Sequence, residues 1–294
     1  MKEQTLEFSM IMKNESSCIE KCLASIKGEK CTIIDTGSTD NCIELTRKFP
    51  NVTVYSGEDF KWRDDFAFSR NQSLEKCNGS WIYIIDCDEW LEEGMIPKIK
   101  EVINNAGDKK AFMVKHYDSP EKFSHHSIRL FKNNSGIKWE APIHNYLNYV
   151  TDDIADIIHY VGYSQAHVLD PNRAFRILCK FVLNNPKCTR EKFYLAREYF
   201  YRADYESAIF WYEHYLKNAY FPPEEADCYM MLALCYRNIG NMSKAREMAL
   251  KCIDLNTNFK EALDFMADVT GPGNSKRWKE WAKTATNEGL LFVR

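Results

Sequence analysis

Trp81-Ile82-Tyr83-Ile84-Ile85-Asp86-Cys87-Asp88-Glu89 is an apolar run that ends in three carboxylates. Five consecutive apolar residues, three of them isoleucine, predict a strand buried on both faces of a sheet, with the acids at its carboxyl end. That edge is where open α/β sheets bind ligands. Asp86 and Asp88 stand two apart, so on a continuing strand both side chains leave the same edge and can share one hard cation. Carboxylate oxygens suit magnesium or manganese, which keep several waters and take further ligands from a substrate diphosphate. The plain alternative is an acidic turn, because aspartate favours turns and caps. The neighbouring segments decide between them.

Working back from this strand, residues 6–12 and 31–34 read as short apolar strands, each followed by a polar loop and a helix (17–26 and 41–49). Residues 52–55 make a third strand, and a helix over 66–76 leads into the central one. Strands alternating with helices imply parallel pairing through right-handed crossovers, so loops 13–16, 35–40 and 86–89 should open on one sheet edge. Asp35, closing its strand, suits a ribose or a base, with a helix cap as the equal alternative. Arg70, at mid-helix, can neutralise a diphosphate by paired hydrogen bonds, or it can make a surface ion pair.

Four motifs in this order, Met10-Ile11-Met12-Lys13-Asn14-Glu15, Ile34-Asp35-Thr36-Gly37-Ser38-Thr39-Asp40, Asp64-Asp65-Phe66-Ala67-Phe68-Ser69-Arg70-Asn71 and Asp86-Cys87-Asp88-Glu89, resemble glycosyltransferase family 2. The resemblance is to the branch that carries tetratricopeptide repeats and includes peptide S-glycosyltransferases and lipopolysaccharide-core transferases. It implies a GT-A fold, α/β with a mostly parallel sheet, a UDP-sugar donor and a divalent cation, Mn2+ or Mg2+. Carried over residue by residue, Asn14 and Glu15 border the nucleoside, Asp35 contacts uracil or ribose, and Arg70 faces the diphosphate. Asp88 binds the metal, Asp86 holds the ribose or a metal water, and Cys87 between them counts with the donor-binding set. Arg129-Leu130-Phe131 and Trp139-Glu140-Ala141-Pro142-Ile143-His144 also resemble the branch, which implies His144 as a further metal ligand; where the branch usually has Glu next, this chain has Asn145. The base that activates the acceptor stays open among Glu89, Asp118, Glu140 and His144. Read without the family, His144 is one histidine of seven, His125-His126 is exposed or acceptor-side, and His159 is structural.

Beyond Ser164 the pattern is helical only. Ala196, Tyr199 and Ala208 recur thirty-seven residues later as Ala233, Tyr236 and Ala245, and Ala233 recurs thirty-four later as Ala267. Thirty-four is the tetratricopeptide period, with the three extra residues expected in the linker Tyr220-Phe221-Pro222-Pro223. Two domains follow: a GT-A transferase over 1–165 and an all-α repeat domain over 166–294. Trp278 and Trp281 are expected to cap the last repeat.

Thirty-nine basic against 42 acidic residues, a net charge of −3, create no global field for nucleic acid or an anionic membrane. No apolar run approaches the ~20 residues of a membrane span, and the chain reads as cytoplasmic. Eleven cysteines, an odd number with no Cys-x-x-Cys, are expected as reduced thiols. The family resemblance implies a metal-dependent, inverting glycosyltransferase, a hexosyl- or N-acetylhexosaminyl-transferase, moving sugar from a UDP-sugar, and the repeats suit a docked peptide or protein acceptor. The alternatives are a cell-envelope glycan or lipid-linked acceptor, or a non-catalytic adaptor that binds nucleotide-sugar.

Overall fold

The computed structural model describes residues 4–163 and 170–285. The chain forms two compact units, Met1–Arg173 and Ala174–Arg294. The boundary expected after residue 165 lies outside the described residues.

In the first unit, strands β1 (Leu6–Met12), β2 (Lys30–Asp35), β3 (Val52–Tyr55) and β4 (Trp81–Ile84) are parallel, in the spatial order β3-β2-β1-β4. They are joined through α1 (Ile19–Ser25), α2 (Cys42–Thr46) and α3 (Phe66–Lys76). Every residue of β4 is buried, as a strand covered on both faces requires. The order continues β7-β6-β10-β5, with β5 at Trp90–Leu91, β6 at Ala111–Ser119, β7 at Lys122–Lys132 and β10 at Ile154–Tyr160. A helix α4 (Met95–Asn104) and a two-strand ribbon, β8 (Trp139–Glu140) with β9 (Tyr146–Leu147), complete the unit.

β7 runs antiparallel to both β4 and β6, and β10 is parallel to β6. The start of β7 and the ends of β6 and β10 therefore share one sheet edge with the carboxyl ends of β1, β2 and β4. The mostly parallel α/β sheet expected of a GT-A domain is present, and the long β6–β7 hairpin is the part that the motifs did not announce. Helix α3 is pinned across β1 and β2 by the buried Ser73 hydroxyl, which accepts from Ser9 Oγ (2.8 Å) and Met10 N (3.2 Å) and donates to Thr32 O (3.2 Å). That pin sets Arg70 at the carboxyl edge.

Among the described residues the second unit has helices as its only regular elements: α5 (Arg173–Asn184), α6 (Arg190–Tyr201), α7 (Tyr205–Leu216), α8 (Pro222–Asn238), α9 (Met242–Leu255), α10 (Lys260–Val269) and α11 (Pro272–Thr284). The repeating alanines Ala196, Ala208, Ala233, Ala245 and Ala267 are all buried, where small residues let paired helices approach closely. The period of thirty-seven reaches the turns as well. Ala203 and Gly240 take left-handed backbone, and Asp204 and Asn241 then cap α7 and α9 by accepting from Ser207 N and Lys244 N. Pro222 and Pro223 open α8 rather than lie in a linker, a position where proline's missing N–H costs nothing. Phe193, Tyr194, Tyr212 and Tyr236 are core residues, and the Trp278 and Trp281 rings stack at 5.7 Å with Trp281 exposed. All eleven cysteines are free thiols. Among the described residues, no helix is long and apolar enough to cross a membrane.

Candidate functional site

Two of the edge loops are sewn together by their own polar atoms. Asn14, in left-handed backbone at φ 59°, donates its N–H to Ser38 Oγ (3.0 Å) and accepts Thr39 N–H on Oδ1 (2.7 Å). Ser16 N–H donates to Asp40 Oδ2 at 2.9 Å. Asp35 is buried and accepts from Gly37 N, Ser38 N and the Ser38 hydroxyl, so its carboxylate closes the loop in the manner of a cap.

At the end of β4, Asp86 receives Arg70 through two parallel contacts of 2.8 Å, Nη1 to Oδ1 and Nη2 to Oδ2. The Arg70 guanidinium also lies 4.8 Å above the Trp139 ring. Asn71 holds that tryptophan's backbone at two points: Nδ2 donates to Trp139 O (3.0 Å) and Oδ1 accepts Trp139 N–H (2.9 Å). Phe66 N–H donates to Pro142 O at 2.8 Å, fixing the loop that carries His144 to the start of α3. His144 itself is exposed, in left-handed backbone at φ 49°.

Asp88 is half-buried. Burial, then the charges of Asp86, Glu89 and Glu15, pushes its carboxyl above the ordinary carboxylate range. A cluster of oxygens strained by mutual repulsion has the chemistry of a hard-cation site. Glu15 borders it and accepts the Cys18 thiol at 3.2 Å. Cys87, expected among the donor-binding residues, instead buries its thiol in the core and donates it to Ile11 O (3.3 Å), which leaves only its backbone at the edge.

Glu89 also departs from its expected place. Its buried carboxylate is gripped by Arg129 at two points, Nη2 to Oε1 (2.8 Å) and Nη1 to Oε2 (3.0 Å). Oε2 accepts Asp86 N–H at 2.8 Å as well, while Glu89 N–H returns to Asp86 O at 3.1 Å. His159 Nε2 stands 3.1 Å from the same oxygen, not in line for a full hydrogen bond, and its Nδ1 is 3.0 Å from the Tyr83 hydroxyl. Burial opposes the charge on Glu89, but Arg129 and His159 outweigh it and hold the carboxyl well below the usual range. A carboxylate so stabilised is a poor proton acceptor, and that removes Glu89 from the candidates for the base.

Glu89, His116 and His159 offer ligand atoms within 4.8 Å of one another, the one such group among the described residues; Asp86, Asp88 and His144 do not converge to that separation. Burial, then Arg129, pushes the His116 imidazole down to about 2, so it is neutral. Its Nε2 lies 2.8 Å from Ser127 Oγ, and its ring lies 4.7 Å from both His125 and His159. The trio has the donors for a cation. Even so, Glu89 Oε2 already takes two donors and Arg129 sets a positive charge on that carboxylate, so the group acts as a hydrogen-bonded anchor. Gly162, beyond β10, completes the surroundings: a Cβ there would stand 2.1 Å from Asp88 O.

A mostly parallel sheet with carboxylates clustered at its carboxyl edge defines an α/β domain whose ligand site lies at that edge. Residues 8–163 match the family model Glycosyl transferase family 2, and the chain belongs to that family. Over 152 residues it is 30% identical to the SPbeta prophage-derived glycosyltransferase SunS of Bacillus subtilis strain 168, covering 48% of this chain and 34% of SunS. It is 29% identical over 102 residues to the lipopolysaccharide core biosynthesis glycosyltransferase LpsC of Rhizobium meliloti strain 1021, covering 32% of this chain and 35% of LpsC. The chain spans about a third of the length of these curated relatives. Among solved structures, TarS of S. aureus, residues 1–349 with UDP, aligns with a TM-score of 0.44 at 11% identity, covering 89% of this chain and 91% of that one.

Proposed function

We propose that this chain transfers a sugar from a UDP-sugar, with inversion, to a peptide or protein acceptor, using a divalent cation at Asp86 and Asp88. The observation that carries the reading is Asp88: a half-buried carboxylate pushed up by burial and by three neighbouring acids is relieved by a hard cation. Asn14, Glu15 and Asp35 border the nucleoside, and His144 would join the cation only by a movement of the β8–β9 loop toward the acids. A bound divalent ion would supply positive charge opposite the departing diphosphate. Arg70, braced by Asp86 and by the face of Trp139, adds a fixed positive charge beside it. With Glu89 engaged elsewhere, the acceptor's proton falls to Asp118, Glu140 or His144. The stacked helical hairpins, with Tyr201, Trp211 and Tyr229 only partly buried, favour a polypeptide acceptor. A ligand that binds only the native state raises the melting midpoint, so UDP with manganese should stabilise the protein more than GDP or CMP does. Equal shifts for the three nucleotides would overturn the donor assignment.

A further inference from the structure

We propose that Glu89 and Arg129 are positioning residues that set Asp86 and Asp88 for the cation and the donor diphosphate. The proposal rests on the reading of those two acids given above. Residues 86–89 form a turn closed at both ends by one residue: Glu89 Oε2 takes Asp86 N–H at 2.8 Å and Glu89 N–H reaches Asp86 O at 3.1 Å. A turn following a strand is ordinarily free to flex, but this one is bolted to the sheet behind it. Arg129 ties the Glu89 carboxylate to β7 through two contacts, and His159 on β10 packs against it with Nε2 3.1 Å away. Tyr83 on β4 holds His159 in turn at 3.0 Å, and the Cys22 thiol on α1 donates to Asp86 O at 3.4 Å.

Asp86 is thus held at its backbone by Glu89 and Cys22 and at its carboxylate by Arg70. Glu89 is 4% exposed and His159 and Tyr83 are fully buried, so none of the three meets substrate. Their effect passes through the turn. Groups that orient metal-binding side chains in this way typically change metal affinity by about 10- to 100-fold when altered.

The test uses the full chain and four variants. Glu89→Gln keeps the shape and removes the charge; Arg129→Lys keeps the charge and removes the two-point grip. Tyr83→Phe perturbs the anchor one step further out. Ile99→Ala, a core truncation in α4 with no hydrogen bond to the turn, controls for lost stability. Calorimetry with Mn2+ and UDP, well below the lowest melting temperature, should give roughly 10- to 100-fold weaker binding for Glu89→Gln and Arg129→Lys. Tyr83→Phe should fall between these and wild-type, with Ile99→Ala at the wild-type value. Wild-type affinity in Arg129→Lys and Tyr83→Phe, whatever their melting temperatures, would overturn the positioning role even if Glu89→Gln failed to fold. A wild-type protein that itself binds no Mn2+ with UDP would overturn the underlying reading, and the proposal with it.

Discussion

Gly162→Ala is the smallest change expected to disable the site without touching a functional group. A Cβ at residue 162 would stand 2.1 Å from Asp88 O, 3.2 Å from Asp88 C and 3.3 Å from the Trp90 ring. Carbon makes comfortable contact at about 3.5 Å, so one side must retreat by more than 1 Å. Neither side gives easily. Val161 N–H is fixed to Tyr117 O at 2.9 Å, and Glu89 grips the acid turn from behind. Overpacking of this kind costs about 1–3 kcal/mol, which for a domain of this size lowers the melting temperature by roughly 2–4 °C per kcal/mol. The functional loss should be larger, because displacing a positioned group by 1 Å can cost about 100-fold in rate. Steady-state donor turnover, measured at a temperature where circular dichroism shows the variant folded, should therefore fall by one to two orders of magnitude, with the manganese–UDP thermal shift reduced. Gly162→Ala with both wild-type turnover and a wild-type shift would refute the reasoning.

Two further outcomes are expected. Asp88→Asn should raise the melting temperature of the metal-free protein at pH 7 while abolishing its manganese-dependent UDP shift. The folded-state pKa of Asp88 lies above its unfolded value, so the ionised group costs stability at neutral pH. That cost disappears as pH falls below the unfolded pKa, so the gain from Asp88→Asn should shrink towards acid, and a lower neutral-pH midpoint would contradict it. Ala203→Gly should stabilise the helical unit by about 0.5–1 kcal/mol, since a left-handed alanine is strained and Gly240 fills the equivalent turn thirty-seven residues on. A decrease in the melting temperature would count against that reading of the turn.

What could be read from the sequence was what is local in the chain. Trp81 to Ile84 announce a doubly buried strand by composition alone, and the repeating alanines announce helical hairpins by their spacing. Asn71 with Trp139, and Glu89 with Arg129, could not be read that way. An asparagine in a helix or a glutamate in a turn fits many roles, and the partner that decides lies dozens of residues away on another strand.

Cys87 and Glu89 are a different case, because the alternation applied to Asp86 and Asp88 also indicates where their side chains go. β4 ends at Ile84 and residues 86–89 form a turn, but a strand's period of two, continued past it, separates Asp86 and Asp88 from Cys87 and Glu89. Burial follows that alternation along the four residues, with Asp86 and Asp88 half-buried and Cys87 and Glu89 buried. A carboxylate directed inward needs a buried cationic partner, and among the strands that reach this edge Arg129 on β7 supplies it. An acid-rich strand end is therefore better read by parity than by count. Of its three carboxylates, two stay half-buried at the sheet edge, and the third turns inward to Arg129 behind them.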